Sequence, residues 1–129
     1  MDLRPFVRDL SDFPRPGMAF WDITPLLADV RAFQQAVAKM QAPVEPLQAT
    51  HVLALESRGF IFGSALALRL NLGFVPARKP GRLPGPTLRA TYLNTQGLED
   101  ALEIPEQAFK PGDRVLIVDD VITAGTAIR

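Results

Sequence analysis

The chain has 129 residues, 47% of them hydrophobic and 22% charged, a composition typical of a globular protein and favouring one domain. Its 14 Lys and Arg balance its 14 Asp and Glu, which argues against a nucleic-acid binder that relies on a general basic excess. There is no cysteine, so disulfides and thiolate metal sites are excluded. Because the sequence has neither a signal-peptide pattern at its start nor an apolar run long enough to span a membrane, we expect a cytoplasmic protein.

The N-terminal stretch is predicted to form a short helix followed by a stiff arm. Apolar residues at helical spacing predict a helix over residues 2–10, which the prolines and glycine of residues 11–17 end. Thr24 precedes Pro25, a pair typical of a helix start in which threonine is the cap and proline takes the first helical position. A brief helical turn is therefore expected there.

A longer helix and a strand–helix–strand unit come next. The helix is predicted to be capped by Asp29 and to end at the two prolines that follow residue 42. Residues 50–55 are predicted to form a buried strand, residues 60–70 a helix and residues 74–77 a second strand. Such a unit predicts a right-handed crossover between parallel strands. The only histidine opens the first of these strands, and we interpret it as structural.

A loop and an antiparallel flap follow this unit. Residues 78–86 contain three prolines, two glycines and three basic residues, so they are predicted to be a loop. Residues 87–92 and 102–104 are expected to pair as antiparallel strands around residues 94–100. The flap as a whole would cover about residues 80–103.

The last predicted strand, residues 115–118, leads into the most informative segment of the chain. Asp119 and Asp120 follow it directly, and residues 123–127 form a loop of small and hydroxyl residues. Ligands of open α/β sheets bind at the carboxyl ends of the strands, and Gly125 lets backbone N–H groups there approach a phosphate closely. The two carboxylates repel a phosphate, so they suit a diol or a cation.

This segment resembles the PRPP (phosphoribosyl pyrophosphate) signature of type I phosphoribosyltransferases. The resemblance implies that Asp119 and Asp120 hold the ribose 2′- and 3′-hydroxyls of PRPP. It implies that the following loop binds the 5′-phosphate, through Thr123, Ala124, Gly125, Thr126 and Ala127. It also implies an α/β fold in a single domain, residues 1–129, with a central parallel sheet flanked by helices, the antiparallel flap, and an N-terminal arm over residues 1–28.

A second strand-to-helix turn follows residues 50–55, and on an adjacent parallel strand it would share one crevice with Asp119. The family binds pyrophosphate at this loop. Here the loop residues are Glu56, Ser57, Arg58 and Gly59. Three cations after the next strand favour binding of the same anion, and they are Arg78, Lys79 and Arg82.

Three further stretches narrow the resemblance to the adenine phosphoribosyltransferases. Residues 12–27 contain Asp-Phe-Pro-x-Pro-Gly and Phe-x-Asp-Ile-Thr-Pro-Leu-Leu, residues 56–63 read Glu-Ser-Arg-Gly-Phe-Ile-Phe-Gly, and residues 78–87 read Arg-Lys-Pro-Gly-Arg-Leu-Pro-Gly-Pro-Thr. The resemblance implies purine salvage, in which phosphoribosyl passes from PRPP to adenine and gives AMP and pyrophosphate. The implied adenine-binding residues are Ala19, Phe20 and Arg58, and the implied catalytic residues are Asp119, Asp120 and Arg58.

The implied reaction displaces pyrophosphate from ribose C1 and must exclude water, so we expect the flap to act as a lid. The resemblance implies Mg²⁺ that binds through PRPP, with Asp119 or Asp120 as the candidate protein ligand. It also implies a homodimer with no nucleic-acid or membrane partner.

Several departures from the family keep alternatives open. Residues 123–127 follow the form seen in orotate phosphoribosyltransferases, so an orotate or other base enzyme is an alternative, against which residues 12–27 argue. Thr95 stands where the family has a flap glutamate, for which Glu99 is the nearby substitute, and Trp21 replaces a basic residue.

A non-catalytic PRPP-sensing regulator is the other alternative. Such a protein usually carries an added DNA-binding segment with a basic face, for which we find no room before residue 12. Finally, the chain stops at Arg129 where a helix is expected to begin, so we expect the C-terminal part of the domain to be missing and the fold to be cut short there.

Overall fold

The computed structural model describes residues 1–94 and 96–122, which form two compact units that divide after Pro43. The first unit contains an antiparallel hairpin and two helices, and the second contains a parallel sheet and an antiparallel pair of strands. The prediction of a single domain stays a prediction. In the part of the chain that the structure describes, no helix is both long and apolar enough for a membrane span.

The hairpin of the first unit joins strand β1 (Arg8–Ser11) to strand β2 (Ala19–Asp22). The predicted helix over residues 2–10 is therefore wrong, and only Arg4–Phe6 make a short 3₁₀ turn. Long-range pairing overrides the helical spacing here, because Arg8 lies opposite Asp22 in the hairpin and its Nε donates to the Asp22 Oδ2 at 2.8 Å.

Helices α1 (Thr24–Ala28) and α2 (Val30–Val44) follow the hairpin. The prediction that the Thr24 side chain caps the first helix is wrong, because Thr24 lies within the helix and its N–H donates to Asp22 Oδ1 at 2.9 Å. Asp29 is confirmed as a cap, since its Oδ1 accepts the Ala32 N–H at 2.9 Å. Helix α2 ends between the two prolines predicted to stop it.

The second unit holds, in chain order, β3 (His51–Leu55), α3 (Gly59–Leu70), β4 (Gly73–Ala77), β5 (Thr87–Leu93), β6 (Glu99–Pro105) and β7 (Val115–Val118). Three of these strands form a parallel sheet in the order β4-β3-β7, and β5 and β6 form a separate antiparallel pair. The predicted strands, helix and parallel crossover are confirmed. Strand β6 begins three residues earlier than predicted.

Strand β3 is central and buried, with Val52 and Ala54 fully inaccessible to solvent. Helix α3 packs directly on it, because a Cβ placed at Gly63 would lie 2.5 Å from the Ala54 Cβ. At its far end the helix stops as predicted, with Asn71 in the left-handed conformation at φ 57°. This packing fixes where the turn between β3 and α3 emerges from the sheet.

The antiparallel pair β5–β6, the predicted flap, is joined to the end of β4. Arg78 N–H donates to the Glu103 carbonyl at 2.8 Å, and Glu103 N–H donates to the Arg78 carbonyl at 2.7 Å. Leu55, Ala77 and Leu102 form a buried apolar cluster beside this bridge. The flap is therefore attached through β6 to the same sheet edge from which the basic loop leaves.

Candidate active site

A polar cavity of about 320 Å³ opens at the carboxyl ends of the parallel strands. The turn after β3 and the turn after β7 both contribute to it, which confirms the prediction that these two turns share one crevice. The lining residues are Glu56, Ser57, Arg58, Lys79, Asp119, Asp120 and Val121.

An ion pair joins the two turns across the crevice. The Arg58 Nε lies 2.9 Å from the Asp120 Oδ2. The Asp120 side chain is only 7% exposed, whereas that of Arg58 is 55% exposed, so the guanidinium also faces solvent where a ligand could reach it. The arrangement brings a cation and two carboxylates together at one end of the sheet.

Gly59 allows the two turns to approach this closely. A Cβ at this position would lie 2.8 Å from the Val118 carbonyl oxygen and 3.2 Å from the Asp119 Oδ1. Because the carbonyl belongs to the backbone of β7, any side chain here would push α3 away from that strand. The sequence had suggested Gly59 only as a pyrophosphate contact, and its packing role depends on a neighbour distant in the chain.

Asp119 carries the one strongly perturbed carboxylate of the crevice. Burial raises the pKa of Asp119 to about 6, and repulsion from the Asp120 carboxylate acts in the same direction. A hydrogen bond of 2.8 Å from the Asp120 N–H to the Asp119 Oδ1 and the charge of Arg58 oppose this rise in pKa without cancelling it. A half-buried acid with too little compensation is typical of a binding or catalytic site.

Glu56 faces the basic loop. Its Oε1 accepts from the Arg78 Nε at 3.2 Å and from the Lys79 backbone N–H at 3.0 Å, and its Oε2 lies 3.2 Å from the Arg82 Nη1. Burial raises the pKa of Glu56, but these donors outweigh it and hold the pKa below its usual value. Neither Arg78 nor Arg82 lines the cavity.

Of the three cations of the basic loop, Lys79 is the one that lines this cavity, and pyrophosphate binding by Arg78 and Arg82 stays a prediction. Its Nζ donates to the Asp100 Oδ2 at 2.7 Å and to the Tyr92 Oη at 3.3 Å. The hydrogen bond from Lys79 lowers the pKa of Asp100. Tyr92 and Asp100 face each other across β5 and β6, a register that no local pattern in the sequence indicated.

Glu103 is a second buried acid that the sequence reasoning missed. Its Oε1 accepts the Gly81 N–H at 3.1 Å and its Oε2 accepts from the Arg89 Nε at 3.0 Å. These hydrogen bonds, the one from Gly81 foremost, lower the pKa of Glu103. The residue thus fixes the basic loop to the flap.

The remaining predicted site residues belong to other parts of the chain. Thr95 and the phosphate loop of residues 123–127 lie outside the described residues. Ala19 and Phe20 belong to β2 in the first unit, where the Phe20 ring makes an edge contact with Phe13 at a centroid distance of 5.0 Å. Their role toward adenine stays a prediction.

The structure also shows where His51 and Glu99 lie, the two other residues discussed from the sequence. The His51 Nδ1 lies 3.8 Å from the Asp113 Oδ2 at the opposite end of β3 from the crevice, which agrees with the structural interpretation. Glu99 is exposed at the start of β6. Its substitution for the family's flap glutamate stays a prediction.

Over residues 1–94 and 96–122 there is no group of three acidic or histidine side chains arranged to hold a metal ion. The crevice offers two adjacent carboxylates, Asp119 and Asp120, beside open space. Mg²⁺ commonly takes one or two carboxylates together with water and substrate phosphates, so this donor set fits an ion that arrives with a phosphorylated ligand.

Comparison with known proteins identifies related chains. Residues 27–129 match the phosphoribosyl transferase domain. The adenine phosphoribosyltransferase of Symbiobacterium thermophilum is 50% identical over 129 residues, which cover the whole chain and 75% of that enzyme. The adenine phosphoribosyltransferase of Synechococcus sp. strain JA-3-3Ab is 52% identical, with 98% of this chain and 73% of that one covered.

Solved structures agree with these relatives. The adenine phosphoribosyltransferase of Thermoanaerobacter pseudethanolicus superimposes with a TM-score of 0.91 at 43% identity, covering 98% of this chain and 73% of that chain. The enzyme from Saccharomyces cerevisiae, solved with an imino-altritol bisphosphate and adenine, gives a TM-score of 0.90 at 37% identity over 98% of this chain and 73% of its own. The fold predicted from the sequence is thereby confirmed.

Proposed function

The chain belongs to the adenine phosphoribosyltransferases, and from this membership we propose how its residues transfer phosphoribosyl from PRPP to adenine. The observation that best supports the assignment of roles is the Arg58–Asp120 ion pair of 2.9 Å, which spans the two turns of the crevice. It brings a diol-binding carboxylate next to an anion-binding guanidinium, as PRPP requires at adjacent parts of one molecule.

Asp119 and Asp120 bind the ribose. Two carboxylates accept hydrogen bonds from vicinal hydroxyls, and hydrogen bonds with a charged partner are stronger than neutral ones. The raised pKa of Asp119 supports this role, because donation from a hydroxyl supplies part of the compensation that its carboxylate lacks. Positive charge that develops on the ribose in the transition state is further stabilised by the same two acids.

The pyrophosphate end lies at the turn before α3. Ser57 and the N-cap Arg58 precede this 12-residue helix, which begins at Gly59 and whose N-terminal dipole favours an anion. Lys79 supplies a further positive charge from the basic loop. Glu56 also lines the cavity, and its ion pairs with Arg78 and Arg82 shape the loop that carries Lys79.

Mg²⁺ is the proposed cofactor, held by PRPP and by Asp119 or Asp120, and it would neutralise charge on the departing pyrophosphate. The protein residues bind and orient PRPP and adenine. With ribose and pyrophosphate held, the C1–oxygen bond breaks and pyrophosphate departs with that oxygen, while a ring nitrogen of adenine bonds to C1 and its proton passes to pyrophosphate or water. Residues 123–127 are proposed to bind the 5′-phosphate, and the β5–β6 flap to exclude water.

Adenine recognition is assigned to the backbone of Ala19, the ring of Phe20 and the guanidinium of Arg58. The aromatic ring of Phe20 suits stacking on a planar base. We further propose that the protein is cytoplasmic and forms a homodimer, both on the basis of the family resemblance. Sedimentation analysis of the purified protein would test the dimer.

The function is tested by substrate choice and by one matched pair of variants. The protein should convert adenine and PRPP to AMP and leave orotate unreacted, and conversion of orotate would favour the alternative base. Phe20→Ala should raise the KM for adenine far more than the KM for PRPP. Phe13→Ala is the control because it removes the other ring of the same edge contact, so equal effects of both variants would make Phe20 a packing residue.

A further inference from the structure

Lys79 is the cavity-lining member of the basic loop, and it is fixed at both ends. Its backbone N–H donates to Glu56 at 3.0 Å, and its Nζ donates to Asp100 at 2.7 Å and to Tyr92 at 3.3 Å. The main-chain contact comes from the turn after β3, whereas both side-chain contacts come from the flap. One residue thus connects the crevice to the flap.

The flap acceptors are themselves fixed. Tyr92 and Asp100 are register partners across β5 and β6, and the Tyr92 Oη donates to the Asp100 Oδ2 at 3.3 Å. The other carboxylate oxygen, Asp100 Oδ1, accepts the Ala101 N–H at 2.8 Å. The Asp100 carboxylate therefore has both oxygens engaged, and its position follows from the strand pairing.

This geometry leaves Lys79 able to serve a ligand. An ammonium group has three donors, and the two flap acceptors use two of them within the described residues. The Lys79 side chain is 35% exposed, and the residue lines the cavity. A lysine on a flexible stem normally loses conformational entropy when it binds an anion, and holding it in place beforehand reduces that loss.

We propose that Asp100 and Tyr92 are positioning residues that hold the Lys79 ammonium at the crevice for the departing pyrophosphate. The base of the flap thereby sets the affinity for the pyrophosphate end of PRPP. This inference rests on the proposed function, which places pyrophosphate at this crevice. A carboxylate that only neutralised Lys79 would weaken its attraction for an anion, so the sign of the change on removing Asp100 distinguishes positioning from neutralisation.

The test is calorimetric titration of the purified protein with pyrophosphate and Mg²⁺. Asp100→Ala should weaken binding about tenfold, the scale of one charge-assisted hydrogen bond. Asp100→Asn should weaken it less because the amide oxygen still accepts, and Tyr92→Phe least because Asp100 remains. In turnover, the KM for PRPP should rise while the KM for adenine is unchanged, a split that general loss of structure would not produce.

Two controls make the result specific. Asp113→Asn removes an acid paired with His51 at the other end of the sheet, and it should leave pyrophosphate affinity unchanged. In an Asp100→Ala background, Lys79→Met should cost much less affinity than in the wild type, because the two residues act through one contact. Additive losses would overturn the inference.

The outcomes also separate this inference from the proposed function. If the wild type binds pyrophosphate and Asp100→Ala binds it equally well or more tightly, the positioning role is wrong while the function stands. If the wild type binds no pyrophosphate in the presence of Mg²⁺, both proposals fail. Asp100→Asn and Tyr92→Phe keep the test available if the alanine variant does not fold.

Discussion

Two groups of acidic residues lie close to arginines in the second unit, and they differ in how well their charges are matched. Glu56 and Glu103 each receive hydrogen bonds from an arginine and from a backbone N–H, and the pKa of each lies below its usual value. At the crevice, Arg58 forms an ion pair with Asp120 and its charge also acts on Asp119, yet the pKa of Asp119 is raised to about 6.

This difference in charge matching separates the acids that hold the basic loop from the acids that are available to a ligand. A carboxylate whose oxygens already accept several donors gains little from a substrate, so we expect Glu56 and Glu103 to act mainly in holding the loop. A half-buried carboxylate beside a like charge is destabilising to the unliganded protein, and a diol or cation relieves that cost on binding. Sequence distance to an arginine does not distinguish the two cases, whereas the number of donors around each oxygen does.

The largest expected effect comes from neutralising the crevice acids. Replacing Asp119 and Asp120 together with Asn should weaken PRPP binding by about 1–3 kcal/mol for each lost charged hydrogen bond. Calorimetry with PRPP and Mg²⁺ measures the affinity. Thermal unfolding should show no loss of stability, because the repulsion between the two acids disappears as well. An unchanged PRPP affinity would contradict the assignment of these residues.

Glu103→Gln tests the structural group and should have the reverse profile. The amide can still accept the Gly81 N–H, but it loses the charge that pairs with Arg89, so Tm should fall by about 5 °C. PRPP affinity at low temperature should stay close to that of the wild type. Glu106→Gln, the same change on an exposed side chain three residues on, is the control and should leave Tm unaltered.

The pH dependence of stability should show a smaller effect with a distinctive sign. The folded state binds the Asp119 proton more tightly than the unfolded chain does, so this group destabilises the protein as pH rises from about 4 to about 6. As pH decreases below that window, the protein loses stability because Glu56, Glu103 and Asp100 become protonated. Folding lowers the pKa values of these three groups.

Urea unfolding at several pH values, without divalent cations, measures this dependence. In Asp119→Asn the gain in stability on acidification from pH 6 should vanish, while the loss at lower pH remains. If the variant keeps the same gain, another group is responsible for it.

The smallest effect is expected at the rim of the basic loop. Arg82 is 57% exposed and shares Glu56 with Arg78, so Arg82→Gln should change Tm by less than about 2 °C. Because its guanidinium faces Glu56 and does not line the cavity, pyrophosphate affinity should change little. A large loss of that affinity would restore Arg82 to the ligand site.

Much of the sheet and its crevice could be predicted because local patterns determine them. Apolar runs at residues 50–55, 74–77 and 115–118 gave the strands, and the strand-to-helix turn at Arg58 together with Asp119 gave the crevice. Short segments with a single dominant periodicity, bounded by glycine or proline, leave few alternatives to the chain.

The remaining errors concern pairings between distant residues. The helix predicted at residues 2–10 failed because Arg8 pairs with Asp22 in a hairpin, a contact that helical spacing does not reveal. Glu103 and Asp100 were missed as partners of the basic loop because the register of β5 and β6 decides which side chains meet it. Propensity and spacing are local, whereas register is set by the whole sheet.

The parallel pairing of β3 has a consequence for the order in which the molecule is made. His51 pairs with Gly73 through the short crossover of α3, but on its other side it pairs with Val115, which leaves the ribosome much later. Until then one edge of a strongly apolar strand stays open, and a long loop must close before that pairing stabilises the chain. The strand that closes this edge also brings Asp119 and Asp120, so the nascent chain pairs the second edge of β3 and acquires these two crevice acids in the same step.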